Sequence, residues 1–408
     1  MTVTTDTAVR QTGRSQAGHS PPFDRKVVVI ALLLLGLGGF VTFEEAGGRM
    51  AALFAVGGAL GVTLYHAAFG FTGSWRSFLK EGRGAGLRAQ MVMLAVATAI
   101  FLPLLSLGSA FGQPLGGSVS PVGVSVLLGA FLFGVGMQLG GGCASGTLFT
   151  VGGGSTRMVI TLIFFMVGSV LGSLHLPWWL DQPSLGRISL LSELGLWGAL
   201  ALQGGIFALI ALATVVVERR RHGGLVQAQA APVHGWRRIL QGPWPLVIGG
   251  VALALLNVAT LLLAGHGWNV SFGYTLWGAK LASAGGMDVA SWSFWTWNYP
   301  SNALQGSIFA ETTSVMNIAI ILGALLAAGM AGKFAPTRRI PWKSVLAAVI
   351  GGILMGYGAR LAFGCNIGAF FTGVASGSVH GWLWLVAAIA GNYIGVKVRP
   401  FFALDRSG

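Results

Sequence analysis

Residues 356–382 read GYGARLAFGCNIGAFFTGVASGSVHGW: a single cysteine, Cys365, ringed by glycines between two long apolar runs. Sliding the chain back by 222 residues lays Gly134, Gly136, Gly142, Cys143 and Gly146 on Gly356, Gly358, Gly364, Cys365 and Gly368. The match includes the only 2 cysteines of the protein. Self-similarity of this kind marks an internal duplication, with one thiol at the same point of each copy.

The flanking apolar runs recur along the whole chain. Of its 408 residues 54% are hydrophobic and 9% charged, and the mean hydropathy is +0.74, which excludes an ordinary soluble surface. Runs of roughly 17 to 25 residues suit helices that cross about 30 Å of hydrocarbon. The 65 glycines fit the same setting, because small residues let helix backbones approach closely within lipid. The expected fold is therefore all-α, a polytopic integral membrane protein. About ten spans are expected, at 27–43, 50–69, 90–107, 122–140, 157–175, 195–217, 244–264, 312–332, 343–362 and 381–397.

A net charge of +14 could suggest nucleic acid, but the basic residues lie in short clusters between apolar runs. They report topology instead. With the N-terminus in the cytoplasm, all of the 25 Lys and Arg residues except Arg49, Arg187, Lys280 and Arg360 fall on the inner side, as the positive-inside rule requires. Both termini are then cytoplasmic. Residues 1–26 read as a disordered tail, 27–217 as a first membrane repeat, 218–242 as a cytoplasmic linker, 243–398 as a second repeat and 399–408 as a second tail.

In this orientation the span before Cys143 runs inward and the span before Cys365 runs outward. The copies are thus two inverted pseudo-repeats with re-entrant Gly-rich segments, an arrangement that places a transport site near the midplane. Non-helical backbone at that depth must be buried by protein or line a polar path. The duplication extends to Phe69–Gly70–Phe71–Thr72 and Phe272–Gly273–Tyr274–Thr275. The stretch from Gly265 to Glu311 therefore predicts a short membrane-dipping helix followed by an interfacial segment rich in Trp and Tyr.

Matched occurrence makes Cys143 and Cys365 the leading candidates for a solute path, since a thiol offers a soft donor and acceptor to a sulfur-bearing anion. Arg360 precedes Cys365 by five residues, and an intramembrane cation of this kind costs about 2.5–3.5 kcal/mol on insertion scales unless pairing or function retains it. Its repeat counterpart is Gln138, so a cation and an amide would guide the anion from the two sides. Asn366 could orient ligand or backbone, and Gly142, Gly146, Gly364 and Gly368 complete the re-entrant turns. Lys280 reads either as a second guide or as an interfacial anchor; Glu44, Glu45, Asp181 and Glu311 are assigned to the outer surface. Two isolated cysteines make neither a disulfide framework nor a metal site. No phosphate loop, zinc motif or nucleophile elbow is present, so no cofactor and no enzymatic activity are expected.

The GGGCASG segment, paired with FGCNIGAFFTG and the closing SVHGW, resembles the YeeE/YedE family of sulfur-transport membrane proteins over about residues 50–398. The resemblance implies two inverted pseudo-repeats whose re-entrant helices meet in an hourglass, and uptake of thiosulfate past cysteines matching Cys143 and Cys365. It also implies a bacterial-type plasma (inner) membrane location and a small soluble sulfur-carrier protein as partner. Where the family's thiosulfate transporter has a further cysteine this chain has Gly70, which leaves room for another sulfur or selenium oxyanion. The alternative is a membrane sulfur relay, in which a cysteine persulfide passes sulfur to the carrier.

Overall fold

The computed structural model describes residues 23–226, 235–337 and 339–404. The basic residues Arg10, Arg14, Arg338 and Arg406 and the middle of the linker lie outside them. The fold is helical, and nine helices among the described residues are long and apolar enough to cross a membrane. The first, α1 (Arg25–Ala67), is broken where Gly47 takes φ 79° and ψ 177°, a conformation that glycine adopts without steric penalty. Its arms fold back on each other, with Gly38 against Phe54 and Gly58 against Leu35. Counting the two arms separately, the described residues hold ten apolar segments of span length, in line with the ten expected from the sequence.

After α1 come the short α2 (Phe71–Glu81), the spans α3 (Ala85–Leu107) and α4 (Val124–Gly140), the short α5 (Ala144–Gly152), and the spans α6 (Thr156–Leu180) and α7 (Leu190–His222). The small α8 (Trp236–Gln241) then leads into α9 (Leu246–Ala264) and the short α10 (Ser271–Ala284). A Trp-rich stretch with α11 (Asn298–Gln305) precedes α12 (Thr312–Met330) and α13 (Trp342–Leu361). A π-helical segment, Asn366–Thr372, continues into α14 (Gly373–Ala375), and α15 (Val379–Val398) ends the spans. The few extended residues form two short antiparallel pairs, Ser109–Ala110 with Gln113–Pro114 and Pro121–Gly123 with Ser184–Arg187.

Glycine sets the packing of the centre. α4 and α13 lie antiparallel, and their contacts are reciprocal: a methyl on Gly136 would stand 2.8 Å from the Gly351 carbonyl oxygen, and one on Gly129 would stand 2.7 Å from that of Gly358. Gly134 meets the Ala388 carbonyl of α15 in the same way that Gly356 meets the Phe165 carbonyl of α6. With no side chain between them the backbones come close enough for dispersion contacts along their length. The outer contacts repeat the exchange. The second arm of α1 packs on α12 as α9 packs on α3, while the first arm rests on α12 through Val27 and Val28 at Gly329, and α7 rests on α3 through Thr214 at Gly84.

Several residues lie elsewhere than their sequence positions suggest. Glu311 is buried, not on the outer surface: its carboxylate caps α12 through the Thr313 and Ser314 amides and accepts the Tyr299 hydroxyl at 2.8 Å. Burial, and then the Glu311 charge, push the Tyr299 phenol up from its ordinary pKa, so it stays a donor. Lys280 is an anchor, its ammonium donating to the Leu304 and Gly306 carbonyls at 2.7 Å and holding the end of α11. Residues 218–222 continue α7, and Glu218 is buried there in an ion pair with Arg88 at 2.6 Å.

Candidate functional site

The turn after α4 is made by Gly141, at φ 90°, and the extended Cys143 then opens α5. Four amides at the start of a helix have no partner within it. The Cys143 sulfur accepts one of them, from Gly146 at 3.4 Å, and lies 3.5 Å from the Ser145 hydroxyl. Cys365 does the same for the π-helical segment, accepting the Ile367 amide at 3.4 Å. Both sulfurs are therefore N-caps, and both side chains are buried, at 1% and 0% exposure.

The glycines explain the fit. A methyl on Gly146 would stand 3.3 Å from the Cys143 sulfur, and one on Gly142 would stand 2.9 Å from the end of Met158. Gly364, at φ 151°, has no space for a side chain beside the Ala369 amide, and Gly368 lies against the Asn269 amide group. Substituting any of the four displaces a thiol turn or its immediate neighbour.

Two further short helices begin here. The start of α2 lies beside Cys143, and Phe71 packs edge-on against Phe370 of the π-helical segment, at 6.2 Å between ring centroids. From α10, the Tyr274 hydroxyl donates to the Ala144 carbonyl at 2.8 Å. The N-terminal turns of α2, α5, α10 and the π-helical segment thus meet around the two thiols. Each carries the positive end of a helix dipole, which favours an anion nearby without a full charge. Phe71, Trp75, Phe370, Trp384, Phe133 and Phe165 form a continuous aromatic collar, with the Phe370 and Trp384 rings stacked at 9°.

This waist lies between two cavities at opposite ends of α9. One, of about 440 Å³, is lined by Gly117, His266, Asn269, Phe294, Arg360 and Gly368. The other, of about 720 Å³, is lined by Gly70, Ser74, Ser77, Arg83, Glu218 and Leu246. Leu246 starts α9 and Gly265 follows its end, so its 19 residues hold the openings roughly 28 Å apart.

Arg360 faces the smaller cavity. Its guanidinium sits 4.9 Å over the Phe294 ring, and its Nε and Nη1 are buried without a hydrogen-bond partner. Asn366, beside Cys365, is 0% exposed, and neither atom of its amide group has a partner. Buried donors in this condition leave a favourable place for an acceptor. Gln138 stands apart from this group. Its Nε2 donates to the Asn392 side chain at 2.7 Å and to the Thr72 carbonyl at 3.2 Å, tying α2 and α15 to the end of α4.

Sequence reasoning missed three residues. Arg157 donates to the Leu139 and Gly140 carbonyls, and Arg399 donates to that of Gln138 at 2.7 Å, so two arginines close the C-terminal turn of α4 just before Cys143. Cations belong at a helix C-terminus, but the inner-side positions of Arg157, in a Gly-rich loop, and Arg399, after the last span, disguised them as loop and tail residues. Tyr274 was visible only as one letter of a repeat; its alignment with Phe71 marks a hydroxyl present in one copy alone.

The span-length apolar helices among the described residues, with almost no sheet, define an all-α polytopic membrane protein. Residues 66–394 match the model of a family described as "Sulphur transport", and the chain belongs to that family. It is 30% identical over 368 residues to the thiosulfate transporter TsuA of Spirochaeta thermophila, covering 83% of this chain and 95% of that one. It is also 26% identical over 362 residues to TsuA of Escherichia coli, 84% and 94% of the two chains. To the probable transporter YedE of Escherichia coli it is 32% identical over 176 residues, 42% of this chain and only 41% of YedE. The family and these relatives are described as transporters, not enzymes.

Proposed function

We propose that this protein takes up a small sulfur-containing anion, thiosulfate or a related sulfur or selenium oxyanion, along a path between the two cavities past Cys143 and Cys365. The observation that carries the reading is the pair of buried, helix-capping thiols where four helix N-termini converge. Thiols and dipoles bind a soft anion weakly enough for release, as conduction requires. The family match and the thiosulfate transporters among the relatives support the same substrate class. The test is uptake of labelled thiosulfate, sulfite and selenite into cells lacking other routes for them. No difference with and without the protein would refute the reading.

Within this reading the halves 27–217 and 243–398 are inverted repeats joined by the linker 218–242, in a bacterial inner membrane with both termini cytoplasmic. The reciprocal packing of α4 against α13 and the basic-residue asymmetry support it. Thiol-reactive tags at Thr337 should report the cytoplasm, and tags at Gly116 and Ser184 the opposite side; Thr337 outside would overturn the orientation. The relay alternative needs an exposed, activated thiolate. Burial of both cysteines weighs against transfer to a soluble carrier, and a transporter exposed to labelled thiosulfate should retain no label by mass spectrometry.

Arg360 is proposed as the guide that gathers the anion in the smaller cavity. Arg360→Gln should lower uptake several-fold at low substrate and little at saturation. Arg360→Lys should keep part of the activity, because the charge survives without the planar fork. Uptake by Arg360→Gln equal to wild type at all concentrations would leave the residue a structural cation held over Phe294.

A further inference from the structure

Tyr274 is wholly buried and lies within electrostatic reach of both thiols. Its ring packs edge-on against Phe165 at 4.7 Å between centroids, which fixes where its hydroxyl can reach. That hydroxyl donates at 2.8 Å to the carbonyl of Ala144, the residue next to Cys143. The bond crosses between the copies, from the helix of one to the cysteine turn of the other. Phe71, which holds the aligned place in the first copy, has no hydroxyl to give in return. Its ring packs on Phe69 and Trp75 and on Phe370 of the opposite turn.

The two cysteine turns therefore differ. The Cys143 turn leads into regular α-helix and is fastened at Ala144, and the carbonyl of Cys143 itself accepts the Thr147 hydroxyl at 2.8 Å. The Cys365 turn leads into π-helix and follows Phe363 at φ 56°, an unfavourable conformation for a residue with a side chain. Its next residue, Asn366, makes no side-chain hydrogen bond, while the Gly364 carbonyl before it accepts the Trp384 indole N–H at 3.2 Å.

We propose that Tyr274 is a positioning residue: its bond to Ala144 fixes the Cys143 thiol in the path past which the anion moves. The part that concerns anion passage rests on the transport reading above. The positioning itself does not.

Tyr274→Phe keeps the ring and removes only the hydroxyl. In the transport assay its maximal rate should fall about ten-fold while the half-saturating concentration changes less than two-fold, because the cavity that gathers substrate is untouched. In a Cys365→Ser background, where Cys143 is the sole thiol, Tyr274→Phe should raise the rate of Cys143 modification by N-ethylmaleimide at least three-fold. Tyr357→Phe, which removes instead a hydroxyl that accepts the Trp179 indole N–H at 3.0 Å away from the thiols, should leave that rate within two-fold. If Tyr274→Phe leaves Cys143 labelling unchanged, or if Tyr357→Phe raises it equally, the positioning role is overturned. If labelling rises but wild-type protein moves no sulfur anion, the transport reading fails and the positioning role stands.

Discussion

Cys143→Ala and Cys365→Ala should each lower uptake of the labelled sulfur anion by one to two powers of ten while the protein still reaches the membrane. Both sulfurs are buried at the waist, and no solvent is at hand to replace them. A hydrogen bond to an anion is worth about 1.5–3 kcal/mol, and its loss at the barrier gives that change in rate. Each sulfur also caps a helix, and replacing a cap by alanine typically costs about 1 kcal/mol of stability. Serine separates the two contributions. Its hydroxyl can still accept the Gly146 or Ile367 amide, so Ser variants should recover stability, yet they should restore little transport because an oxygen is harder and better hydrated than a sulfur. Wild-type uptake by both well-expressed Ala variants would reduce the thiols to capping groups.

The largest effect on the fold should come from Gly358→Val. The Gly129 carbonyl occupies the space that its first side-chain atom would need, and Gly129 belongs to a helix held in turn by Gly358. Relief requires two spans to separate, since no flexible side chain can turn aside. Overpacking costs about 1–3 kcal/mol in ordinary cores, and a clash against backbone should reach the top of that range or pass it. Gly136→Val should behave alike, because Gly136 meets the Gly351 carbonyl in the mirrored contact. Gly204→Val on α7, where nothing lies within 4 Å, is the control. Thermal unfolding in detergent should show a marked drop for the first two variants only; equal melting of Gly358→Val and Gly204→Val would contradict the close approach of α4 and α13.

Much of this architecture is legible in the residues because lipid leaves few choices. An apolar run of span length can only be a helix, and the matched spacing of Gly134, Gly136 and Cys143 with Gly356, Gly358 and Cys365 agrees with the reciprocal packing of α4 and α13. The short helix expected after Gly265 is α10, with the Trp-rich stretch behind it. What escaped notice depends on distance across the fold. Glu311 resembles any acidic residue near a span end until the Tyr299 hydroxyl and two amides are placed around it. Gln138 aligns with Arg360, yet α2 and α15 take up its amide group, a pairing 254 residues apart in sequence. Arg399 reads as the start of a tail, but it is the C-cap of α15, which runs beside α4 with Gly395 against Gln138, and its guanidinium reaches the Gln138 carbonyl.

The reversed first arm of α1 has a consequence for how such a chain can be connected. That arm rests on α12 in the way that α7 rests on α3, although it precedes both copies and α7 follows the first. The sharp bend at Gly47 corresponds to the long connection between α7 and α9. Chain order is therefore a poor guide to which spans touch: the arm that opens the described residues packs on α12, late in the sequence, and α7 on the much earlier α3.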